Sequence, residues 1–148
     1  MQLTTHTDYA LRLLMYLAMH DTKEAATVQD AARRYGISNN HLAKVAQNLV
    51  QHGYISGQRG RGGGLKLVHT PEETNIGELV RNIESFNLVE CFGEGSMCKI
   101  QQACRLSEAI NEAREAFIET LEKYSLADLI QPKVRLNRLL QLRKTTKR

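Results

Sequence analysis

Apolar residues recur every three to four positions over residues 5–20, 27–35 and 38–52. They change to short strand-like runs at 54–56 and 65–68, then return to a helical period over 76–83 and 105–124. The first stretch opens at Thr5 with Asp8 three positions on, a capping-box-like start, and carries Tyr9, Leu13, Tyr16 and Leu17 through about His20. The second runs from Thr27 to Tyr35 and is stopped by Gly36, and the third opens at Ser38 and is stopped by Gly53. Two helices joined across Gly36-Ile37 predict a helix-turn-helix. In its second helix Leu42, Val45, Ala46 and Leu49 form the inward stripe, which leaves Asn39, Asn40, His41, Lys44 and Asn48 on the outer face.

The strand-like runs Tyr54-Ile55-Ser56 and Leu65 to Val68 flank Gln58-Arg59-Gly60-Arg61-Gly62-Gly63-Gly64, which reads as a hairpin with a glycine-rich tip, the wing of a winged helix. Glycine lets backbone approach a groove closely, and Arg59 and Arg61 supply charge for phosphate or a narrow minor groove. A phosphate loop of a nucleotide-binding enzyme does not fit, because the required glycine and lysine spacing is missing. The expected DNA-contacting set is therefore Val28, Ser38, Asn39, Asn40, His41 and Lys44 with Arg59, Arg61, Gly62 and Gly63 of the wing.

Beyond Pro71, Asn75 opens a short helix whose apolar side is Ile76, Leu79, Val80 and Ile83. Leu106, Ala109, Ile110, Ala113, Phe117, Leu121 and Tyr124 then mark a helix over 105–124, about 30 Å long. That exceeds what a domain of this size covers internally, and a helix-turn-helix reading palindromic half-sites needs two copies, so a dimerisation helix is expected rather than one buried in its own core. Ser125 and Asp128 cap one last short helix before Pro132. The fold class is mainly α with a small β-hairpin. Residues 1–70 form a DNA-binding region, 71–132 a loop and dimerisation helix, and 133–148 a basic C-terminal tail.

Charge sharpens this division. The net +4 conceals eight Lys/Arg against four Asp/Glu in residues 1–68, five against twelve in 69–132, and seven against none in 133–148. A basic first part suits phosphate, whereas the acidic middle would be repelled by it. The tail reads either as a nucleic-acid arm or, more simply, as a solvated terminus. No 18-residue apolar stretch exists and no cleavage site follows the interrupted run Ala10 to Met19, so no membrane association and a cytoplasmic location are expected.

The three cysteines sit in one loop as Cys91-x6-Cys98-x5-Cys104. An odd number cannot close an internal disulfide framework, and a reducing compartment favours ligation. Structural zinc asks for four ligands with close pairs, and no histidine lies between residues 70 and 148. Iron-sulfur clusters are held mainly by thiolates and accept a foreign fourth donor, so they fit better. Three unrelated buried thiols would not need such grouping.

Taken in order, Met1 to Arg12, the run Gly36-Ile-Ser-Asn-Asn-His-Leu-Ala-Lys-Val45, the wing run Arg59 to Leu67, the cysteine spacing and Ser125-Leu-Ala-Asp-Leu129 resemble the winged-helix iron-sulfur regulators related to IscR, and among them the nitric-oxide-sensing repressors. The resemblance implies a homodimer on a palindromic operator in double-stranded DNA, with a cluster in each half. Relatives with a [2Fe-2S] site complete it with a histidine three residues after the third cysteine, and that position is Ser107 here. The nitric-oxide sensors instead use an acid near the start of the first helix, supplied by the partner subunit to a [4Fe-4S] cluster, and the matching position is Asp8. The resemblance thus nominates Cys91, Cys98, Cys104 and Asp8, with [4Fe-4S] favoured over [2Fe-2S]. Asp8 also suits a helix N-terminus on dipole grounds. The implied role is repression of nitric oxide detoxification genes. The alternatives are a regulator of the same fold sensing iron or cluster status and, in another class, an iron-sulfur carrier or electron-transfer protein. The scattered histidines give no support to an enzyme.

Overall fold

In the computed structural model, which describes residues 1–20 and 24–142, the chain forms α1 (Thr5–Met19), α2 (Val28–Tyr35), α3 (Asn39–Gln51), β1 (Ile55–Gly57), β2 (Leu65–Leu67), α4 (Ile76–Ile83), α5 (Arg105–Leu121), α6 (Leu126–Leu129) and α7 (Lys133–Leu139). The core is built where α1, α2 and α3 meet: Ala10, Leu13, Leu14, Ala31, Leu42, Val45 and Leu49 are fully covered, and Ile55, Ile76, Leu79, Ile118 and Leu126 extend it toward the C-terminal helices. No described helix is long and apolar enough to cross a membrane.

Local chemistry sets most boundaries. Thr27 caps α2 by accepting from the Asp30 N–H, and Gly36 ends it in the left-handed region at φ 66°. Ser38 then caps α3 by accepting from the His41 N–H. The start of α1 differs from the expected one. Thr4, not Thr5, is the cap: its hydroxyl accepts from the Thr7 N–H, while its own N–H and hydroxyl donate to Glu84 Oε2 at 2.8 and 3.0 Å. A partner 80 residues away decides between two adjacent threonines.

The wing is a two-stranded antiparallel pair with Ile55 opposite Leu67 and Gly57 opposite Leu65. It is fixed to the head by the Leu65 N–H donating to Ala26 O at 2.7 Å, beside Gly64, where a Cβ would stand 2.5 Å from that same carbonyl.

Two C-terminal elements differ from the sequence reading. α5 ends at Leu121 rather than at Tyr124, because residues 124–126 pair instead with 74–76. Ile76 N–H donates to Tyr124 O at 3.0 Å and Leu126 N–H to Thr74 O at 2.8 Å. Residues 133–139, read from sequence as part of a charged tail, form α7; residues 143–148 of that tail lie outside the described residues. α6 has the expected capping box, with Ser125 and Asp128 bonded reciprocally.

Asp30 ties the head together. Its carboxylate accepts from Tyr16 Oη at 2.7 Å, from Arg34 Nε at 2.6 Å and from Arg33. Partial burial opposes its ionisation, but the donors Arg34, Tyr16 and Arg33 outweigh that and hold the carboxyl well below the usual range. Burial and the Asp30 charge push the Tyr16 hydroxyl up. Asp30→Asn should cost about 2 kcal/mol at neutral pH by stranding these donors. Because the folded pKa is depressed, the Asp30 contribution is present above the unfolded value of about 4 and lost as pH falls further. Denaturant melts of both proteins should therefore converge toward acid, and a gap constant with pH would rule out this account.

Candidate DNA-reading surface and cysteine loop

α3 buries Leu42, Val45, Ala46 and Leu49 and leaves Asn39, Asn40, His41 and Lys44 exposed at its N-terminal end, after the exposed cap Ser38. The side chains of Asn39, Asn40 and Lys44 have no hydrogen-bond or ion-pair partner among the described residues. Val28 is half-buried and packs against the core, so the start of α2 can offer backbone more readily than that side chain. Asn48, expected on the outer face, is half-buried and held by His6 Nε2 at 3.1 Å. The ring of His41 meets Tyr9 edge-on, with centroids 4.9 Å apart. α1 thus grips α3 at two points through His6 and Tyr9. Their pairing across more than thirty residues left no trace in local spacing.

Arg59 and Arg61 are exposed at the wing tip, with neither paired among the described residues. Gly60 and Gly62 have φ of 102° and 76°, and Gly63 donates its N–H to Gly60 O at 3.0 Å. A Cβ on Gly63 would lie 2.9 Å from Gly60 O and nearer still to Gln58 O. Gly62 and Gly63 therefore shape the tip that presents the two arginines. Arg61→Ala is expected to weaken binding to all sequences and lower the salt slope by about 1, whereas Asn40→Ala should cost about 1–3 kcal/mol of discrimination at one base position. Fluorescence-anisotropy titrations across salt and across operator variants separate the two; an unchanged salt slope for Arg61→Ala would remove the wing from the interface.

Between α4 and α5 the chain runs through two single 3-10 turns, Glu90–Phe92 and Gln101–Ala103. Cys91 lies in the first, Cys98 precedes the second, and Cys104 is the N-cap residue of α5. All three are half-buried free thiols. The start of α5, with backbone N–H groups lacking intrahelical acceptors, suits an anionic group. Ser107 donates its hydroxyl to Cys104 O at 2.8 Å, so it closes the turn. Arg114 lies over the Phe92 ring at 5.7 Å and joins that turn to α5. Asp8 is elsewhere on the chain, paired with Arg12 at 2.9 Å. Among the described residues no three His, Cys, Asp or Glu side chains converge into a metal-binding group, so a single chain does not assemble the nominated ligands. The donor set still fits a cluster: three free thiols on one loop, with the exposed apolar residues Met97 (87%), Ile100 and Leu106 (64%) within two positions of a cysteine in sequence.

A family model described as an iron-dependent transcriptional regulator, Rrf2, matches residues 3–132. The chain belongs to the Rrf2 family. Rrf2 relatives match over nearly the full length: the HTH-type transcriptional regulator NsrR of Bacillus subtilis is 44% identical over 145 residues, covering 97% of this chain and 99% of that protein. The regulator of the same name from Geobacillus kaustophilus is 43% identical over 146 residues, with the same coverage. Among solved structures, IscR of T. potens superposes with a TM-score of 0.69 at 21% identity, covering 90% of this chain and 88% of that one. CymR (YrzC), the global cysteine regulator of B. subtilis, gives 0.65 at 21% identity over 87% and 95%. These last two establish the Rrf2 winged-helix fold.

Proposed function

We propose that this Rrf2 protein is a homodimeric repressor that binds a palindromic operator and responds to nitric oxide through an iron-sulfur cluster held by Cys91, Cys98 and Cys104, with Asp8 of a second copy as fourth donor. The main support is the confinement of all three free thiols to the loop before α5, apart from the candidate DNA-reading residues of α3 and the wing. The NsrR name of its relatives gives the signal, and a [4Fe-4S] cluster is favoured over [2Fe-2S] because Ser107, in place of histidine, already spends its hydroxyl on Cys104 O. When bound, the cluster supplies an iron held by an oxygen donor and therefore open to a diatomic ligand.

The residues of the chain supply the rest. Leu106, Ala109 and Ala113 leave an exposed row along the first half of α5, a surface for the second copy. Asp8 has two choices of partner, Arg12 one turn along its own helix or the iron that the thiols of the other chain would hold. α1 carries that choice to the DNA, because His6 and Tyr9, in the same turn as Asp8, hold Asn48 and His41 of α3. A shift of α1 changes how the two α3 helices are presented to half-sites, and affinity falls when both cannot be engaged together.

The test is a titration of anaerobically isolated, loaded protein on genomic DNA fragments with nitric oxide, with apo-protein alongside. Selection of a palindromic site and its release by a few equivalents supports the reading. If nitric oxide has no effect while cluster loss alone switches binding, the protein senses iron or cluster status instead.

A further inference from the structure

α7 ends against α2 of the candidate DNA-reading head. Arg34 of α2 donates from Nη1 to Leu140 O at 2.8 Å and to Gln141 O at 2.7 Å, partners more than a hundred residues away, while its Nε stays on Asp30. The end of α7 is shaped for this contact. Leu142 N–H returns to Asn137 O at 2.9 Å and Gln141 N–H to Arg138 O at 3.2 Å, with Gln141 in the left-handed region at φ 53°. That is the closure usually given to glycine. It turns two carbonyls at the negative end of the helix toward one guanidinium and seats Leu142 against the core. The Arg34 side chain is only 20% exposed, so its donors are committed to protein. From α2 the chain reaches α3 without slack, since Ile37 N–H bonds back to Ala32 O at 2.9 Å and Ser38 already caps α3.

We infer that α6 and α7 form a strap from the end of α5 to α2, and that Arg34 is a positioning residue through which this strap sets the pose of the recognition helix on DNA. The inference rests on the DNA-reading role of α3 and not on the cluster or on nitric oxide. It gives the head an attachment at α2 to the region around α5, in addition to the packing of α6 on α1.

Full-length Arg34→Gln, Leu142→Asp and the double variant test it. Binding is measured per active molecule, on operator and on unrelated DNA, across salt. Each single variant is expected to weaken operator binding about tenfold while leaving unrelated-DNA binding and the salt slope unchanged. The double variant should lose no more than the worse single one. Hydrogen exchange of the α2 amides should accelerate in all three. A fall in salt slope of about 1 for Arg34→Gln would mean that Arg34 touches phosphate directly and would overturn the inference. So would equal losses on operator and unrelated DNA, unchanged operator binding in Leu142→Asp, or additive losses in the double variant. Because anaerobically isolated protein gives these readouts on operator and unrelated DNA with no nitric oxide added, failure of the nitric oxide reading is separately visible.

Discussion

Serine in place of Cys98 is expected to leave the protein folded but unable to retain a cluster, with iron and sulfide falling to background after anaerobic reconstitution. The three cysteines supply every thiolate of the chain, and a serine oxygen is a poor substitute for one of them. The fold should be indifferent, because the loop contributes no buried side chain and its cysteines are all half-exposed. Operator affinity of the reconstituted variant should sit about a hundredfold below that of the loaded protein, the upper range of coupling between distant sites. Metal analysis, a thermal melt of the apo forms and an operator titration give the three readings. A Cys98→Ser protein that keeps its full iron complement would take Cys98 out of the ligand set.

Gly77→Ala should lower stability by about 2–4 kcal/mol, although alanine ordinarily favours a helix over glycine. Gly77 is buried in the first turn of α4, and a Cβ there would lie 2.5 Å from Glu122 N and 2.8 Å from Glu122 Cα. That backbone cannot retreat easily. Asn75 Nδ2 donates to Glu122 O at 2.7 Å, and the neighbouring Ile76–Tyr124 bond fixes the same crossing. The substitution therefore wedges α4 from α5, the pair whose ends frame the cysteine loop, and strains Arg81, which reaches Glu115 and Glu122 across the gap. Urea unfolding of the apo-protein decides the sign; a stabilised variant would mean the two helices slide apart at little cost.

What could be read from sequence follows from range of interaction. Gly36, Ser38 and Gly53 bound the helix-turn-helix by chemistry within a few residues, and each stands where the pattern put it. The glycine-rich wing was legible for the same reason. The end of α5 was not, because only residues 74–76 tell the chain to leave the helix at Leu121. α7 was hidden behind its own charge: Lys133, Arg135 and Arg138 read as a solvated terminus, and its anchor Arg34 is a residue of the second helix. At the site, the sequence placed all three cysteines in one loop, and the structure keeps them there as free thiols. The links from His6 to Asn48 and from Tyr9 to His41, which join the Asp8 turn to the reading helix, could come only from the packing of α1 on α3.

The two halves of α5 keep different company. Around Ile118, 1% exposed, the helix is finished by its own chain, whereas around Leu106 it faces outward. A newly synthesised molecule can therefore acquire its reading head and the α4–α5 crossing on its own, and joining a second one asks for no refolding. For the proposed dimer, pairing is then a matter of abundance: the scarcer the subunit, the longer its thiols and the exposed apolar side chains near them in sequence stand uncovered together.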